Sequence, residues 1–349
     1  MRDAYVMAAD PLVRIRGAAP IFGRGVASRG EATRRRGDDN GAEQAETLCA
    51  PGPNWFDHRM IIEPTLVRGL IAAQFPHWAD LPVEAVAASG TANAIYRLGA
   101  DMAVRLPRTE GSAADVATEH RWLPRLAEQL PFPVPLPLAQ GAPDKVFPRP
   151  WSVCTWLDGT NPSPGDACSS SDLLAADLAE FVLALRRITP EDAPPAYRSE
   201  PLASRDQATR EALATVAGIV DAEAVAAAWK ESLCAPPFTA TPVWVHGDLQ
   251  PGNVLVADGR LTAVIDFGCT GLADPAVDLI AAWYLLTAGA RETFHEAIAA
   301  DDATWTRGRG WALSIALLEL AHYRETNPVM ARIAAQVIGE IVGEAAKRA

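Results

Sequence analysis

Three oxygen-bearing side chains stand at spacings that suit phosphate chemistry. Asp248 and Asn253 lie five residues apart in His246-Gly247-Asp248-Leu249-Gln250-Pro251-Gly252-Asn253, and Asp266 follows in Ile265-Asp266-Phe267-Gly268. Between them, residues 254–256 and 261–265 read as two strands joined at Asp258-Gly259, a pair suited to a tight hairpin turn. The open end of that hairpin brings Asn253 beside Asp266. An amide oxygen and a carboxylate aimed at one point suit Mg²⁺, which keeps several waters and completes its shell with substrate phosphates. Asp248, on the same loop, is placed to accept or orient a hydroxyl proton while the metal neutralises phosphate charge.

The elements that must carry this loop divide into two kinds. Residues 63–75 suggest a first helix with Pro64 near its start. Residues 83–88, 94–98 and 102–106 read as strands, the last two separated by Gly99-Ala100-Asp101. A helix over 113–129 follows, with Ser112 as N-cap. Pro131, Pro133, Pro135 and Pro137 alternate along an extended edge connection, and 151–157 is a compact apolar strand. Beyond Asn161 the pattern turns helical. Leu174, Leu178, Phe181, Leu185 and Ile188 repeat along one face, capped by Ser170 or Ser171. Residues 205–233, 276–288, 304–322 and 329–347 read as helices, with a strand at 241–246. The expected class is α+β and bilobal. A β-rich N-lobe spans 55–150, and a hinge with a larger helical C-lobe spans 151–349.

Composition narrows the partners. The 349 residues carry a net charge of −12, a poor match to nucleic acid. Residues 1–54 hold eight arginines against seven acids and no persistent period, so the acidity belongs to the rest of the chain. That stretch is expected to be a disordered or non-native tail. The five cysteines form no C-x-x-C, which fits a reducing cytoplasm, and no apolar run is long enough for a membrane span. Of 31 basic residues only Lys145, Lys230 and Lys347 are lysines, so a cation needed before residue 145 must be arginine.

The order of catalytic Asp, Asn after four intervening residues and Asp-Phe-Gly is that of protein kinases, with His246-Gly247-Asp248 where kinases read H-R-D. Together with Asp274-Pro275-Ala276-Val277-Asp278 the segment resembles the aminoglycoside phosphotransferase family, the small-molecule relatives of protein kinases. The resemblance is dense over 243–283 and extends from about residue 60 to the C-terminus. It implies Asp248 as catalytic base, Asn253 and Asp266 as Mg²⁺ ligands, and His246 and Asp278 as supports of the loop. Asp278 reads equally well as a surface helix residue, and Asp274 before Pro275 is also a good N-cap. The resemblance further implies an ATP-binding N-lobe. With no lysine in the corresponding strand, Arg105 takes the phosphate-contacting role, paired with Glu119 in preference to Asp115. Solvated strand-end charge is the alternative for Arg105. Gly90 and Thr91 would cover the phosphates, and Ser152, Val153, Cys154 and Thr155 would form the adenine-binding hinge.

The implied activity is ATP- and Mg²⁺-dependent O-phosphorylation of a small, cationic acceptor such as an aminoglycoside. Asp301, Asp302, Glu319 and Glu325 are candidates to receive it, with Trp283, Trp305, Trp311 and Tyr323 as possible walls. The same residues read as helix caps and core. A sugar, choline-like alcohol, homoserine or macrolide kinase and a nucleotide-binding pseudokinase are the alternatives. A di-metal phosphoesterase would need several histidines where only His246 lies near. The expected protein is a monomer or homodimer with no nucleic-acid or membrane partner.

Overall fold

The computed structural model describes residues 62–86, 92–163 and 167–348. The expected tail at 1–54, and Gly90 and Thr91, lie outside the described residues.

Helix α1 (Pro64–Gln74) starts on proline and buries Val67, Leu70 and Ile71 along one stripe. Strands β1 (Val83–Ala85), β2 (Asn93–Leu98) and β3 (Met102–Pro107) follow. β2 and β3 form a hairpin whose turn needs Gly99 at φ 63°. Helix α2 (Glu110–Ala127) starts three residues earlier than expected. Thr109, not Ser112, is its cap, because the Thr109 hydroxyl accepts the Ser112 N–H at 3.2 Å while Ser112 Oγ donates to the Ala92 carbonyl. Strands β4 (Pro137–Gly141) and β5 (Trp151–Thr155) complete an antiparallel sheet of order β1-β2-β3-β5-β4. The proline-bearing β4 is its edge, as proline requires. β5 stops short of 157 because the Trp156 N–H leaves the ladder for the Asp101 carbonyl.

The helical lobe begins with α3 (Asp172–Arg187), capped by Ser171 and buried along Leu174, Leu178, Phe181 and Leu185. The expected single helix over 205–233 is two, α4 (Asp206–Val216) and α5 (Ala222–Cys234), with Asp221 capping the second. Strand β6 (Val243–Val245) leads into the motif loop, and β7 (Val254–Ala257) and β8 (Arg260–Val264) form the expected hairpin. Its turn has Asp258 and Gly259 both at positive φ, 50° and 75°. A short strand not anticipated, β9 (Gly271–Ala273), pairs with β6. A 3₁₀ turn and α6 (Ala281–Tyr284) follow, then α7 (Ala288–Ile298), which the sequence pattern also missed. α8 (Asp302–Tyr323) is buried on all faces, and α9 (Pro328–Arg348) packs along it. The α+β class with a sheet lobe and a larger helical lobe is as expected. No helix among the described residues is long and apolar enough to cross a membrane.

Candidate active site

β6 delivers His246 into a loop whose first two backbone N–H groups find their acceptors on Asp278. The His246 N–H donates to Asp278 Oδ2 and the Gly247 N–H to Oδ1, both at 2.8 Å. Asp278 is fully buried, so the surface-helix alternative does not hold. Burial raises its pKa. The His246 ring packs edge-on against Phe267. Its Nδ1 accepts the Asp248 N–H at 3.2 Å, and its Nε2 lies 3.1 Å from the Ile265 carbonyl. These contacts require the neutral tautomer with hydrogen on Nε2. Asp274 caps the following turn through the Ala276 N–H and pairs with Arg307. It is a cap.

Asp248 is 3% exposed and surrounded by donors. Gln250 Nε2 donates to Oδ1 at 3.1 Å, and Arg198 Nη1 stands 3.1 Å from the same oxygen. Asn253 Nδ2 donates to Oδ2 at 2.9 Å and to the Asp248 carbonyl at 2.8 Å. Burial pushes the Asp248 pKa up, and Arg198 opposes that rise. Asn253 Oδ1 is buried and has no hydrogen-bond partner among the described residues. An orphaned buried amide oxygen costs free energy unless something occupies its lone pairs. The Ile265 N–H donates to the Asn253 carbonyl at 2.9 Å, which sets Asp266 beside this amide.

Asp266 adopts left-handed φ 61° and ψ 75°, a strained conformation for a side chain of this type. Its carboxylate meets a cation from the sheet lobe. Arg105 Nη2 donates to Asp266 Oδ1 at 2.9 Å, while Nη1 donates to both Glu119 oxygens at 2.7 Å. Glu119 in turn accepts the Phe267 N–H at 3.1 Å. Burial works against the Arg105 charge, but Glu119 and Asp266 more than offset it, so its pKa stays above the ordinary value. The structure thus pairs Arg105 with Glu119 and not Asp115. Arg105 is no solvated strand end.

Arg105 and Asp266 line a cleft of about 520 Å³, its open mouth included. Ile95 and Ala103 from the sheet lobe, Leu255 and Ile265 from the helical lobe, Pro135 and residues 154–157 complete the lining. Of the four expected hinge residues, Cys154 and Thr155 line this cleft and Ser152 and Val153 do not. Ser152 pairs with both β3 and β4, and its hydroxyl lies 2.9 Å from His120 Nε2. Trp156 and Leu157 extend the lining instead. Burial pushes the Cys154 thiol up to about 12, which makes it an inert wall.

The acidic candidates separate. Glu319 is buried on α8, where Oε1 accepts from Gln250 Nε2 at 2.8 Å and Oε2 from the Tyr284 hydroxyl at 2.7 Å. Asp301 caps α8 through the Thr304 N–H, and Asp302 lies in its first turn. They stand about 25 Å from Glu319 along the helix at 1.5 Å per residue. Glu325 is 79% exposed beside Arg324. Trp283, Trp305, Trp311 and Tyr323 are buried in the core of the helical lobe.

Three residues of the site escaped the sequence reading. Gln250 sits inside the motif, two positions after Asp248, and its spacing was the available signal. Tyr284 and Arg198 carry no such signal, because only folding brings them to the loop.

No curated protein sequence matches this chain. Solved structures do. The GDP complex of an aminoglycoside 2'-phosphotransferase-IIIa mutant aligns at TM-score 0.64 and 20% identity, covering 81% of this chain and 98% of that one. A kanamycin and GDP complex of APH(2")-IIIa aligns at 0.61 and 18%, covering 80% and 98%. The macrolide 2'-phosphotransferase apoenzyme from Brachybacterium faecium aligns at 0.53 and 21%, covering 79% and 98%. At these identities the likeness is one of fold. The family model described as the phosphotransferase enzyme family matches residues 84–311, which takes in β2 to β5, the cleft and the whole motif loop, and the chain is a kinase-type enzyme that belongs to this family.

Proposed function

We propose that this chain transfers the γ-phosphoryl group of ATP to a hydroxyl of a small hydroxylated amine, such as an aminoglycoside, with Mg²⁺. The observation that carries the reading is the Asn253 amide. Its Nδ2 is committed to Asp248, while its buried Oδ1 has no partner among the described residues. The Ile265 N–H, one residue before Asp266, bonds the Asn253 carbonyl. Asn253 Oδ1 and the Asp266 carboxylate would hold the metal. Among the described residues no three His, Cys, Asp or Glu side chains cluster to hold one. A two-ligand site leaves the remaining shell to water and phosphate, as Mg²⁺ prefers. The bound ion would neutralise phosphate charge.

The chain's own groups do the rest. The apolar walls of the cleft fit an adenine ring, with the backbone of residues 154–157 at its edge. Arg105, fixed by Glu119, faces the phosphates. Gly90 and Thr91 complete their cover in the same reading. Asp248 takes or orients the acceptor hydroxyl proton. His246 and Asp278 hold the loop that carries it. Glu319, through Gln250, is the acid that borders the acceptor side. A cytoplasmic location belongs to the same reading, because the reaction draws on cytoplasmic ATP.

One observation supports a macrolide acceptor as a second reading. Of four acids proposed to receive positive charge, only Glu319 joins the network around Asp248. A nucleoside-diphosphate release assay across aminoglycosides, macrolides and small alcohols tests both, with the Asp248→Asn protein as blank. Turnover with an aminoglycoside or a macrolide identifies the class. No acceptor above the blank would refute the transferase reading and leave a nucleotide-binding protein.

A further inference from the structure

The motif loop cannot carry its own cation. Where protein kinases place arginine between the histidine and the aspartate, this chain has Gly247. Its φ is 85°, and a Cβ there would stand 2.6 Å from the Cys269 carbonyl oxygen. No side chain fits. A guanidinium reaches the loop from elsewhere.

That guanidinium is Arg198. The segment before it lies along residues 269–272. The Ala196 N–H donates to the Leu272 carbonyl, the Leu272 N–H to Pro194 and the Tyr197 N–H to Cys269, at 3.0, 2.8 and 3.1 Å. Gly271 permits this approach, since a Cβ there would meet the Ala196 nitrogen at 2.5 Å. The turn that follows Asp266 therefore sets where Arg198 enters the site. Arg198 is 3% exposed, with its guanidinium 5.5 Å from the Tyr197 ring centroid. It donates to the Gly247 carbonyl and also reaches Asp248 Oδ1. One nitrogen, Nη1, thus fastens the backbone and the side chain of consecutive residues, and the rigid guanidinium plane that carries it is better fixed than an ammonium on a flexible stem.

The consequence is an asymmetry between the two carboxylate oxygens. Among the described residues, Oδ1 takes Arg198 and Gln250, which match its two lone pairs, whereas Oδ2 takes Asn253 alone. We propose that Arg198 is a positioning residue for phosphoryl transfer, pinning Asp248 through Oδ1 so that Oδ2, on the Asn253 side, receives the acceptor hydroxyl. In that step the acceptor O–H bond breaks and its proton passes to Oδ2. The acceptor oxygen bonds to the γ-phosphorus, and the bond to the bridging oxygen breaks with its electron pair leaving on the nucleoside diphosphate. The inference rests on the reading of Asp248 as the base.

The test compares Arg198→Gln, Arg198→Lys, Asp248→Asn and the double variant Arg198→Gln/Asp248→Asn. Nucleoside diphosphate release from MgATP is measured with kanamycin as acceptor, and with water in its place, per folded molecule. Arg198→Gln is expected to lower kcat about 100-fold while the KM for ATP stays within about threefold, the signature of an interaction that matters to the transition state. Arg198→Lys should recover about tenfold of that loss. The double variant should be no slower than Asp248→Asn, because groups acting as a unit are not additive. Turnover of Arg198→Gln within about threefold of wild type, or losses that multiply in the double variant, would overturn the proposal. Should Arg198→Gln fail to fold, Arg198→Lys carries the same cycle. It should lose activity in the wild-type background and none in the Asp248→Asn background, and any other pattern overturns the proposal. If Asp248→Asn itself turns over normally, it is the base reading that fails. If Asp248→Asn is slow and Arg198→Gln is not, the base stands and only the role of Arg198 falls.

Discussion

Asp248 and Asp266 are buried carboxylates of one site, yet they are held in opposite ways. Asp248 has three side-chain partners, all from the helical lobe, and two of them, Gln250 and Asn253, belong to its own loop. Asp266 sits on a strained left-handed backbone and takes its charge partner, Arg105, from the sheet lobe. The first carboxylate is thus fixed whatever the sheet lobe does. The second ties the two lobes together through Arg105, Glu119 and the Phe267 N–H. A cation arriving at Asp266 must share that carboxylate with a guanidinium. Changes around Asp248 should therefore act on chemistry, and changes around Asp266 on nucleotide binding.

The largest effect should come from Asp248→Asn, which keeps shape but removes the base. Turnover is expected to fall about 10²- to 10⁴-fold with ATP affinity little changed, read by steady-state kinetics beside calorimetric titration. An equal loss of affinity would break the comparison. Asp266→Ala should do the reverse, abolishing the Mg²⁺ dependence of ATP binding, and a normal MgATP dissociation constant would remove it from the metal site. Next, Arg105→Lys keeps a charge but loses the fork that spans Glu119 and Asp266. It should raise the KM for ATP about tenfold with a smaller change in kcat. Gly247→Ala sets a side chain at positive φ against the Cys269 carbonyl and should cost about 1–3 kcal/mol in urea unfolding. Asp302→Asn, on an exposed first turn far from both carboxylates, should stay within about 0.5 kcal/mol and leave turnover intact. A specific loss of activity there would return the acceptor to the far end of α8.

What the sequence made legible follows the range of the interactions. Asn253 and Asp266 flank a hairpin whose turn chemistry is local, so their meeting could be read from Asp258-Gly259. The buried face of α3 and its Ser171 cap were equally plain, since both are set within a few turns. β9 was missed because three residues carry no period, and α7 because Gly289 and a mixed face hide its own. The start of α2 shifted to Thr109 when Ser112 found a better acceptor across the fold. Of the four residues expected at the hinge, Cys154 and Thr155 line the cleft, while Ser152 lies within the ladder and turns its hydroxyl to His120. Among the acids, charge alone could not rank Glu319 above Asp301, Asp302 and Glu325. Their separation depends on where a helix of 22 residues lies relative to the loop.

Sequence by itself determined the chemistry on offer: an aspartate, an amide and a second aspartate in register, and an arginine forced into the sheet lobe by the absence of lysine before residue 145. These rest on residue type and short spacing, which the chain carries whether folded or not. Tertiary structure alone decided which charges meet. Arg105 reaches Asp266 across 161 positions of chain, Gln250 reaches Glu319 across 69, and Arg198 reaches the Gly247 carbonyl across 49. Contacts of that length arise from how distant elements pack, within the helical lobe as well as between lobes, and local spacing carries no trace of them.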